Sequence, residues 1–473
     1  MGTFRSLYMK RKFTTIVTAA VFLLASCGGP TQLAGIQGSG SGVASGPITG
    51  FGSIFVNGVE YATSNAQIRI DDQPGAESQL LVGEVVTVTG SVNSDGKTGT
   101  ATQVTFSSDV AGPITGIDIA GGTFVVLGQT VHVSGSTLFD DNIQPASIAT
   151  LQIGNIVEVS GFPNTAGEIV ASRVQLEAAG SALAVKGIVQ SLDMTAHTFH
   201  VNTLTVDYSS ITPMGSLANG GTVKVSGTML DAAGALVATR VDVLQGFGGA
   251  ANEQGEIEGL ITTFTSNSDF VINGQRVTTD ANTQFMLDGV TLAVNVPVEV
   301  EGTFDASGVL VATSVQATPD DASLVRGLVE NVNAASNTLT VLGVTITTSS
   351  ATEFEDKSNQ QMRLFKLSDV HTNDYVEARG APPQTGGLNA NILVRDIPES
   401  HSHLRGTASS VVSPNLTLLG ITVATTLATQ FSGPDGGTLS AAAFFSQAPN
   451  KSVKVRGTLF AGVFTADQAQ IEQ

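Results

Sequence analysis

Histidine side chains are the first residues of this chain whose type could bind a metal ion. The six histidines are scattered along the sequence, at His132, His197, His200, His371, His401 and His403. His197 and His200 are three residues apart in a predicted hairpin, so their side chains point to opposite faces of a strand. His401 and His403 could share a face, but only Glu399 lies near them in sequence. Solvated histidines explain this pattern better than a zinc site, so the sequence predicts no metal-binding residue.

Adjacent acidic residues occur in two predicted turns, as Asp71-Asp72 and as Asp140-Asp141. Carboxylates on loops are the ligands that Ca²⁺ prefers. The chain has no D-x-[DN]-x-[DN]-G frame, however, and two of the repeats described below carry no acidic pair at this place. We interpret the pairs as solvated acidic turns, with weak calcium binding as an open alternative.

Motifs for phosphate or nucleophilic chemistry are incomplete or absent. Asp95-Gly96-Lys97-Thr98 resembles the end of a phosphate-binding loop, but the required first glycine is Ser91 and the segment lies in a predicted hairpin. No G-x-S-x-G or H-E-x-x-H motif occurs. The one insertion confined to a single repeat, residues 355–374, favours an elongated loop with a short packing helix over an active site. The sequence therefore predicts no catalytic residue and no cofactor, and it indicates that the protein is not an enzyme.

The composition limits the classes of partner. The 473 residues include 40 acidic and 21 basic side chains, for a formal net charge of −19, and only 5% are aromatic. Nucleic acid requires a basic footprint, so the sequence excludes nucleic acid as a partner. Sugar binding through stacked aromatic rings stays an alternative, although the chain has four Tyr and no Trp. Because Cys27 is the only cysteine, an internal disulfide and a zinc site of several thiolates are excluded.

The N-terminal residues have the pattern of an export signal. Residues 1–26 carry four basic residues and no acidic one, and a short apolar run extends from Ile16 to Ala25. The run ends in Leu24-Ala25-Ser26-Cys27, which resembles a bacterial lipoprotein box in which the cysteine is lipid-modified and becomes the new N-terminus. This resemblance implies lipidation at Cys27. A buried cysteine or an ordinary cleavable secretory signal is the alternative.

The residues after Cys27 predict that a flexible linker connects the protein to a membrane. Gly28 rather than Asp follows the cysteine, which in proteobacterial lipoproteins implies sorting to the outer membrane. Residues 27–45 are rich in Gly and Ser and predict a flexible tether.

From residue 46 onward the chain repeats one unit six times. The clearest landmark is a strand of the form V-x-V-x-G, whose glycine is Gly90, Gly161, Gly227, Gly302, Gly380 and Gly457. Shortly after each glycine a second strand begins with alanine, at Ala101, Ala171, Ala238, Ala312, Ala390 and Ala466. A T-x-F element precedes both in four repeats, with Phe139, Phe285, Phe354 and Phe431, and we expect its phenylalanine to fill the core.

Each unit contains five short alternating strands joined by tight turns such as Asn273-Gly274. Curling five such strands into a small barrel buries their apolar faces and removes exposed edges, as OB-like folds do. The predicted fold class is therefore all-β: six tandem, small, five-stranded, OB-like β-barrel repeats after the signal peptide and tether. A sandwich or an extended β-array is the alternative. Short helices are expected only at Gln360–Leu367 and Ser440–Gln447.

Boundaries are predicted where Gly, Ala, Pro and charged residues cluster. The predicted segments are a signal peptide over 1–26, a tether over 27–45, and repeats over 46–110, 111–180, 181–250, 251–320, 321–399 and 400–473. Repeats of this length bury only about 60% of their unfolded surface, so we expect them to lean on their neighbours.

The repeat resembles a bacterial family catalogued as a domain of unknown function, number fifty-six sixty-six. The resemblance rests on the opening copy from Gly50 to Glu60, on the V-x-V-x-G strands and on the A-T-x-V strands, and it covers residues 46–473. Copies five and six depart most, with Ala378 in place of Val. The resemblance implies an exported, often lipid-anchored bacterial protein and supplies no catalytic or binding residues.

These observations favour a lipid-anchored protein of the bacterial cell envelope, at the outer membrane, acting as a non-catalytic structural or interaction module. The expected partners are the membrane, reached through the lipid on Cys27, and an envelope protein or polysaccharide. A lipoprotein that binds a glycan or cell-wall polymer is the alternative, and an envelope enzyme is a more distant one.

Overall fold

A computed structural model describes residues 40–471, apart from residues 52, 144–146, 245, 288–289, 318–322, 350–351, 383–385, 434–436 and 461. Cys27, the signal peptide over 1–26 and the first part of the predicted tether lie outside the described residues. The described chain consists mainly of short β-strands, because alternate residues of these strands are apolar and buried.

The first three repeats follow one another without an α-helix in their described residues. Repeat 1 contains β1 (Gly40–Gly50), β2 (Ile54–Val56), β3 (Val59–Ala62), β4 (Gln67–Ile70), β5 (Gln73–Pro74), β6 (Val85–Val92) and β7 (Thr98–Phe106). Repeat 2 contains β8 (Val110–Asp118), β9 (Thr123–Val126), β10 (Gln129–His132), β11 (Leu138–Phe139), β12 (Ile156–Pro163) and β13 (Ile169–Glu177). Repeat 3 contains β14 (Leu183–Asp193), β15 (Thr198–Val201), β16 (Leu204–Asp207), β17 (Thr222–Leu230) and β18 (Leu236–Leu244).

The last three repeats have the same plan and include the α-helix. Repeat 4 contains β19 (Gln254–Ser266), β20 (Asp269–Ile272), β21 (Gln275–Met286), β22 (Pro297–Phe304) and β23 (Leu310–Ala317). Repeat 5 contains β24 (Ser323–Asn333), β25 (Thr338–Val341), β26 (Val344–Thr347), β27 (Glu353–Asp356), β28 (Tyr375–Ala381) and β29 (Leu388–Asp396). Repeat 6 contains β30 (Ser402–Thr407), β31 (Ser409–Val412), β32 (Asn415–Leu418), β33 (Ile421–Ser432), β34 (Thr438–Leu439), α1 (Ala441–Gln447), β35 (Ser452–Phe460) and β36 (Val463–Ile471).

Every repeat closes into a five-stranded barrel. In repeat 4 the first strand β19 pairs with β20 and with β22, β20 pairs with β21, and β22 pairs with β23. The barrel is closed by parallel pairing of the third strand β21 with the fifth strand β23. The same order recurs in the other five repeats, with the first strand of repeat 6 divided into β30 and β31. The predicted all-β, OB-like fold class is confirmed.

The glycine of V-x-V-x-G is explained by a close approach of two backbones. At each of the six glycines the fourth strand changes register against the fifth strand. A Cβ atom added to Gly161 would lie 2.2 Å from the carbonyl oxygen of Val170, and one added to Gly380 would lie 1.9 Å from that of Asn389. Only glycine leaves room for this β-bulge.

The threonine of T-x-F fixes the third strand against the fifth. The hydroxyl of Thr137 donates to the carbonyl oxygen of Ala171 at 2.7 Å, and that of Thr429 donates to Ala466 at 2.6 Å. Thr283 and Thr352 donate in the same way to the corresponding alanines, at 2.7 Å each. The threonine of T-x-F and the alanine that begins the A-T-x-V strand are therefore the donor and the acceptor of one hydrogen bond.

The phenylalanine of T-x-F fills the core in some repeats and not in all. Phe139 and Phe431 are buried, and Phe431 packs on Phe444 of α1 with ring centroids 4.8 Å apart. Phe285 is 40% exposed, so the prediction of a core residue is wrong there. Phe354 is partly buried and packs against the core of repeats 5 and 6.

One of the two predicted helices forms. Ser440 caps α1 by accepting a hydrogen bond from the backbone N–H of Ala443, in agreement with the predicted Ser440–Gln447. The prediction of a helix over Gln360–Leu367 is wrong, because the backbone N–H of Met362 bonds to the carboxylate of Asp356 and the segment wraps around that side chain. No helix in the described part of the chain is long and apolar enough to cross a membrane.

The barrels associate in three pairs through their first strands. In repeats 2 and 3, β8 and β14 are antiparallel, and in repeats 5 and 6, β24 and β30 are antiparallel. Each of these pairs shares one hydrophobic core. Repeats 1 and 4 are joined by parallel pairing of β1 with β19, and their cores are separate. The described residues thus belong to one compact unit rather than to six independent barrels.

The first strand begins inside the segment that the sequence predicts as a tether, residues 27–45. β1 begins at Gly40 because Gly42–Ser45 pair with β6 on one side and with β19 on the other. The last residues of the Gly/Ser-rich segment are therefore part of the sheet that joins repeats 1 and 4.

Replacing Gly161 by alanine should lower the free energy of unfolding by about 2 to 3 kcal/mol, because the new methyl group collides with the carbonyl of Val170. Denaturant unfolding of the purified protein, followed by circular dichroism, measures the change. Gly116→Ala is the matched control, since its Cβ would lie 3.9 Å from the nearest atom, and its effect should stay within about 0.5 kcal/mol. Equal effects of the two substitutions would contradict the bulge explanation.

Candidate functional site

The predicted histidines lie apart in the structure. His132 bonds to Glu168 at 2.7 Å in repeat 2, and His200 bonds to Thr205 at 3.2 Å in repeat 3. His197 packs edge-on against Tyr208, and His371 is exposed. His401 and His403 lie at the junction of repeats 5 and 6, where burial and the charges of Arg326 and Lys454 lower the pKa of His403 to about 4.

The acidic pairs take part in turns and in contacts between repeats. Asp71 accepts hydrogen bonds from the N–H and hydroxyl of Ser108, and it pairs with Lys224 of repeat 3 at 2.7 Å. Asp140 accepts from the backbone and side chain of Asn142. Among the described residues, no three His, Cys, Asp or Glu side chains form a group that could hold a metal ion.

The segment Asp95–Thr98 forms the turn between β6 and β7. The carboxylate of Asp95 accepts from the backbone N–H groups of Lys97 and Thr98, at 2.9 Å each. These are the donors that a phosphate would need, so the turn satisfies them with its own aspartate.

The insertion over 355–374 joins repeat 5 to repeats 1 and 2. The guanidinium of Arg363 lies 3.7 Å from the ring centroid of Phe51 and donates to the carbonyl oxygen of Leu80 at 2.7 Å and to that of Glu77. The carboxylate of Glu355 pairs with Arg173 of repeat 2 at 3.0 Å. The insertion is therefore an inter-repeat contact.

A buried ion pair supports this insertion from within repeat 5. Arg395 pairs with Asp356 at 2.5 Å, and both side chains are buried. Burial opposes ionisation of the carboxyl, but hydrogen bonds from Arg395 and Ser358 lower the pKa of Asp356 to about 2. The pair holds the start of the insertion against β29.

The candidate functional surface is the outward face of the fourth strands. The first variable residue of V-x-V-x-G alternates with buried valines and so points away from its own barrel. This position, called here the S4 outer position, is occupied in chain order by Thr87, Glu158, Lys224, Glu299, Glu377 and Lys454. Its charge varies from repeat to repeat, whereas the residues beside it are valine in every repeat except for Ala378.

In repeats 5 and 6 the S4 outer position lies among opposite charges. Glu377 pairs with Arg379 at 2.5 Å and with Arg326 at 3.4 Å. Burial raises the pKa of this carboxyl, but Arg379, Arg326 and Lys454 together lower it to about 2. Glu377 is thus ionised and paired at the junction.

In repeats 2 and 3 the S4 outer position meets acidic groups of repeat 1. Lys224 is 3% exposed and bonds to Asp71 of repeat 1. Burial and the nearby carboxylates of Asp71, Glu84 and Glu177 raise the pKa of Glu158 to about 9. Glu158 is therefore neutral at pH 7, and it hydrogen-bonds Asp71, which is held ionised by Lys224.

Several charged groups of the described chain therefore meet where barrels contact each other. Sequence reasoning identified the insertion and the acidic turns, but it missed that both dock onto other repeats. No short-range pattern marks these contacts, because Arg363 docks onto repeat 1 and Asp71 pairs with Lys224 of repeat 3.

Replacing Arg363 by alanine should lower the free energy of unfolding by about 1 to 3 kcal/mol, since it leaves two carbonyl groups of repeat 1 without their charged donor. Arg276→Ala is the control, because Arg276 is 58% exposed and, among the described residues, forms an ion pair only with Asp269 of its own repeat. Thermal melting measures both variants. A control loss equal to that of Arg363→Ala would contradict the docking role of the insertion.

Comparison with known proteins gives a family and little else. No curated protein matches the chain. One solved structure that matches part of this chain is a multidomain protein with nucleic acid binding domains from Streptococcus pneumoniae TIGR4. The match has 9% sequence identity and covers 46% of this chain and 73% of that chain. Its TM-score of 0.14 is too low to carry any argument.

The family comparison agrees with the repeats seen in the fold. The family described as Domain of unknown function (DUF5666) matches six successive segments, residues 42–105, 111–175, 181–242, 258–316, 326–391 and 405–469. Together these segments cover most of the chain and coincide with the six barrels. The chain therefore belongs to the DUF5666 family and carries six tandem copies of its domain.

Proposed function

We propose that this protein is a lipid-anchored, non-catalytic scaffold of the bacterial cell envelope. The observation that carries the proposal is the use of its charged residues. Arg173, Lys224, Arg363 and their acidic or carbonyl partners join different repeats. Side chains that pair across repeats hold the barrels in fixed positions, so the array presents a fixed surface. These side chains are not arranged around a substrate.

A repeated polar surface supports the scaffold role. The second and third strands of each repeat form a hairpin, called here the second hairpin. In repeat 5 this hairpin, β25 with β26, places Thr338 opposite Thr347 and Thr340 opposite Thr345, all alternating with buried residues. Thr417 and Thr422 are opposite each other in repeat 6. Outward threonines also occur in the second hairpins of the other repeats after the first, at Thr123, Thr130, Thr198, Thr205 and Thr278.

Threonine favours a protein or polymer partner bound by many weak polar contacts. Sugar-binding faces of OB-like barrels depend on stacked aromatic rings, whereas the outward residues of these hairpins are mainly threonines. Five linked copies raise the effective concentration of such contacts without any strong single site. The scaffold role is therefore favoured over the glycan-binding alternative.

The lipid anchor is supported by sequence. Cys27 is the only cysteine and follows Leu24-Ala25-Ser26 directly, at the end of the basic and apolar signal. Twelve residues separate it in sequence from the start of β1 at Gly40.

Replacing Cys27 by alanine should abolish palmitate labelling and move the protein from the membrane fraction to the soluble fraction, because the acylation site is lost. The melting curve should not change, since the barrels begin at Gly40. Ser26→Ala retains Cys27 and is the control that should stay labelled and membrane-bound. Labelling and membrane retention of the Cys27→Ala protein would refute the anchor.

Replacing both Thr345 and Thr347 by lysine should reduce the envelope partners recovered after cross-linking in intact cells, because it disturbs the threonine surface of repeat 5. Thr102→Lys with Thr239→Lys adds the same charge on exposed fifth-strand positions and is the control. The scaffold role predicts loss of cross-links in the first variant only. Identical cross-links in both variants and the unmodified protein would contradict it.

A further inference from the structure

The junction of repeats 1 and 4 differs from the other two in the faces that it brings together. Across repeats 2 and 3, one row of neighbouring residues runs Val159, Val110, Val185 and Val225, and all four are in the shared core. The row is apolar throughout because antiparallel pairing puts both barrel interiors on the same side of the sheet.

Across repeats 1 and 4 the corresponding row changes from apolar to acidic residues. Val88 and Ala44 belong to the core of repeat 1, and the row continues into Glu256 and Glu301 of repeat 4. Parallel pairing of β1 with β19 therefore places the interior side of one barrel next to the outer side of the other. This explains why the two cores are separate and why carboxyl groups lie at this junction.

Glu256 is buried at the centre of this junction. Its side chain is 1% exposed, and its two carboxyl oxygens accept no hydrogen bond from any donor among the described residues. The amide of Asn57 in repeat 1 donates to the backbone carbonyls of Ser45 at 3.2 Å and of Glu256 at 3.5 Å. Glu256 thus sits on the backbone link that holds the two barrels together.

The groups around Glu256 are acidic or neutral. β19 adds Glu258, and β22 adds Glu299 and Glu301, the latter bonded to Ser314 of β23 at 3.4 Å. From repeat 1, β3 adds Tyr61, whose pKa is raised by burial and by Glu256, and the paired segments of β1 and β6 carry no charged residue. β12 of repeat 2 also packs on β19, and its Glu158 faces Asp71, Glu84 and Glu177.

A shared proton satisfies the buried carboxyl. The oxygens of Glu256 accept from no described donor, so in its hydrogen bond with Glu299 the protonated Glu256 donates and Glu299 accepts. Two carboxylates cannot make this bond unless one of them is protonated. Burial and the neighbouring carboxylates raise the pKa of Glu256 well above its usual range and raise that of Glu299 to about 8.

Glu377 shows that this behaviour comes from the junction and not from the position in the strand. It occupies the same S4 outer position as Glu299, but Arg379 and Arg326 surround it and it is ionised. Repeats 5 and 6 also share a core, which repeats 1 and 4 do not.

We propose that the junction of repeats 1 and 4 is a proton-dependent latch, closed while the Glu256–Glu299 pair holds a proton and loosened when that proton is lost. The group it recognises is the hydrogen ion itself. The latch gives the protein a response to alkaline surroundings that the junction of repeats 5 and 6, where Glu377 is already ionised, lacks.

The direction of the pH dependence follows from the raised pKa values. A carboxyl whose pKa is raised in the docked state binds its proton more tightly there, so docking is favoured at low pH. The favourable contribution declines as the pH rises above the ordinary carboxyl pKa of about 4.5, by up to about tenfold per pH unit for each proton. The part due to Glu299 has been lost once the pH exceeds its pKa of about 8, and the part due to Glu256, whose pKa is raised well above its usual range, declines over the same interval.

Hydrogen exchange of the full-length protein tests the latch, with mass spectrometry of peptides from β1 and β19. Peptides from β24 and β30 of the same molecule are the reference, which cancels the general acceleration of exchange with pH. We expect protection of β1 and β19 to fall at least tenfold, relative to this reference, between pH 5 and pH 9.

Glu256→Gln and Glu299→Gln each replace one buried acid by a neutral amide, so each should make the fall in the protection ratio over this pH range smaller than in the unmodified protein. Two variants are used because one of them could fail to fold. Glu377→Gln is the control: it should weaken protection of β24 at neutral pH and leave the pH dependence of β1 and β19 unchanged. A constant ratio in the unmodified protein, or the unmodified pH dependence in both glutamine variants, would overturn the proposal.

Discussion

The close approach of the fourth and fifth strands at one glycine is the constraint on which each barrel depends. At Gly161 the carbonyl of Val170 occupies the space of a side chain, and the next residue, Ala171, offers its own carbonyl to the hydroxyl of Thr137. The bulge and this hydrogen bond bring strands three, four and five together, which closes the barrel. A unit of this size with no disulfide needs such a fixed point, because its core alone is small.

Closing each barrel leaves its first strand free to pair with another barrel. The first strands join repeats 2 and 3, 5 and 6, and 1 and 4, and the outward residues of the fourth strands flank these joints. Because those outward residues differ between repeats, and because β1 and β19 pair in parallel whereas the other two pairs are antiparallel, the three joints have three electrostatic characters. Glu377 is ionised among arginines, Glu158 is neutral beside Asp71, and Glu299 shares a proton with Glu256.

Local patterns predicted the barrel and could not predict its neighbours. Alternation, the V-x-V-x-G glycine and the Asn-Gly turns are short-range signals, so the five strands and the OB-like class followed from them. The contact of Lys224 with Asp71 joins residues of two non-adjacent repeats, and no local pattern encodes it. The helix expected over Gln360–Leu367 failed for the same reason, since Asp356 and the docking of Arg363 onto Phe51 override helical propensity.

Zero-length carbodiimide cross-linking of the native protein tests the central claim, that the barrels are held together by charged contacts between repeats. Lys224 lies 2.7 Å from Asp71 and 3.5 Å from Asp72, so a direct amide between repeats 1 and 3 is predicted. Peptide mass spectrometry should identify this link, and Lys224→Arg should remove it. Cross-links confined to residues within single repeats would contradict the account.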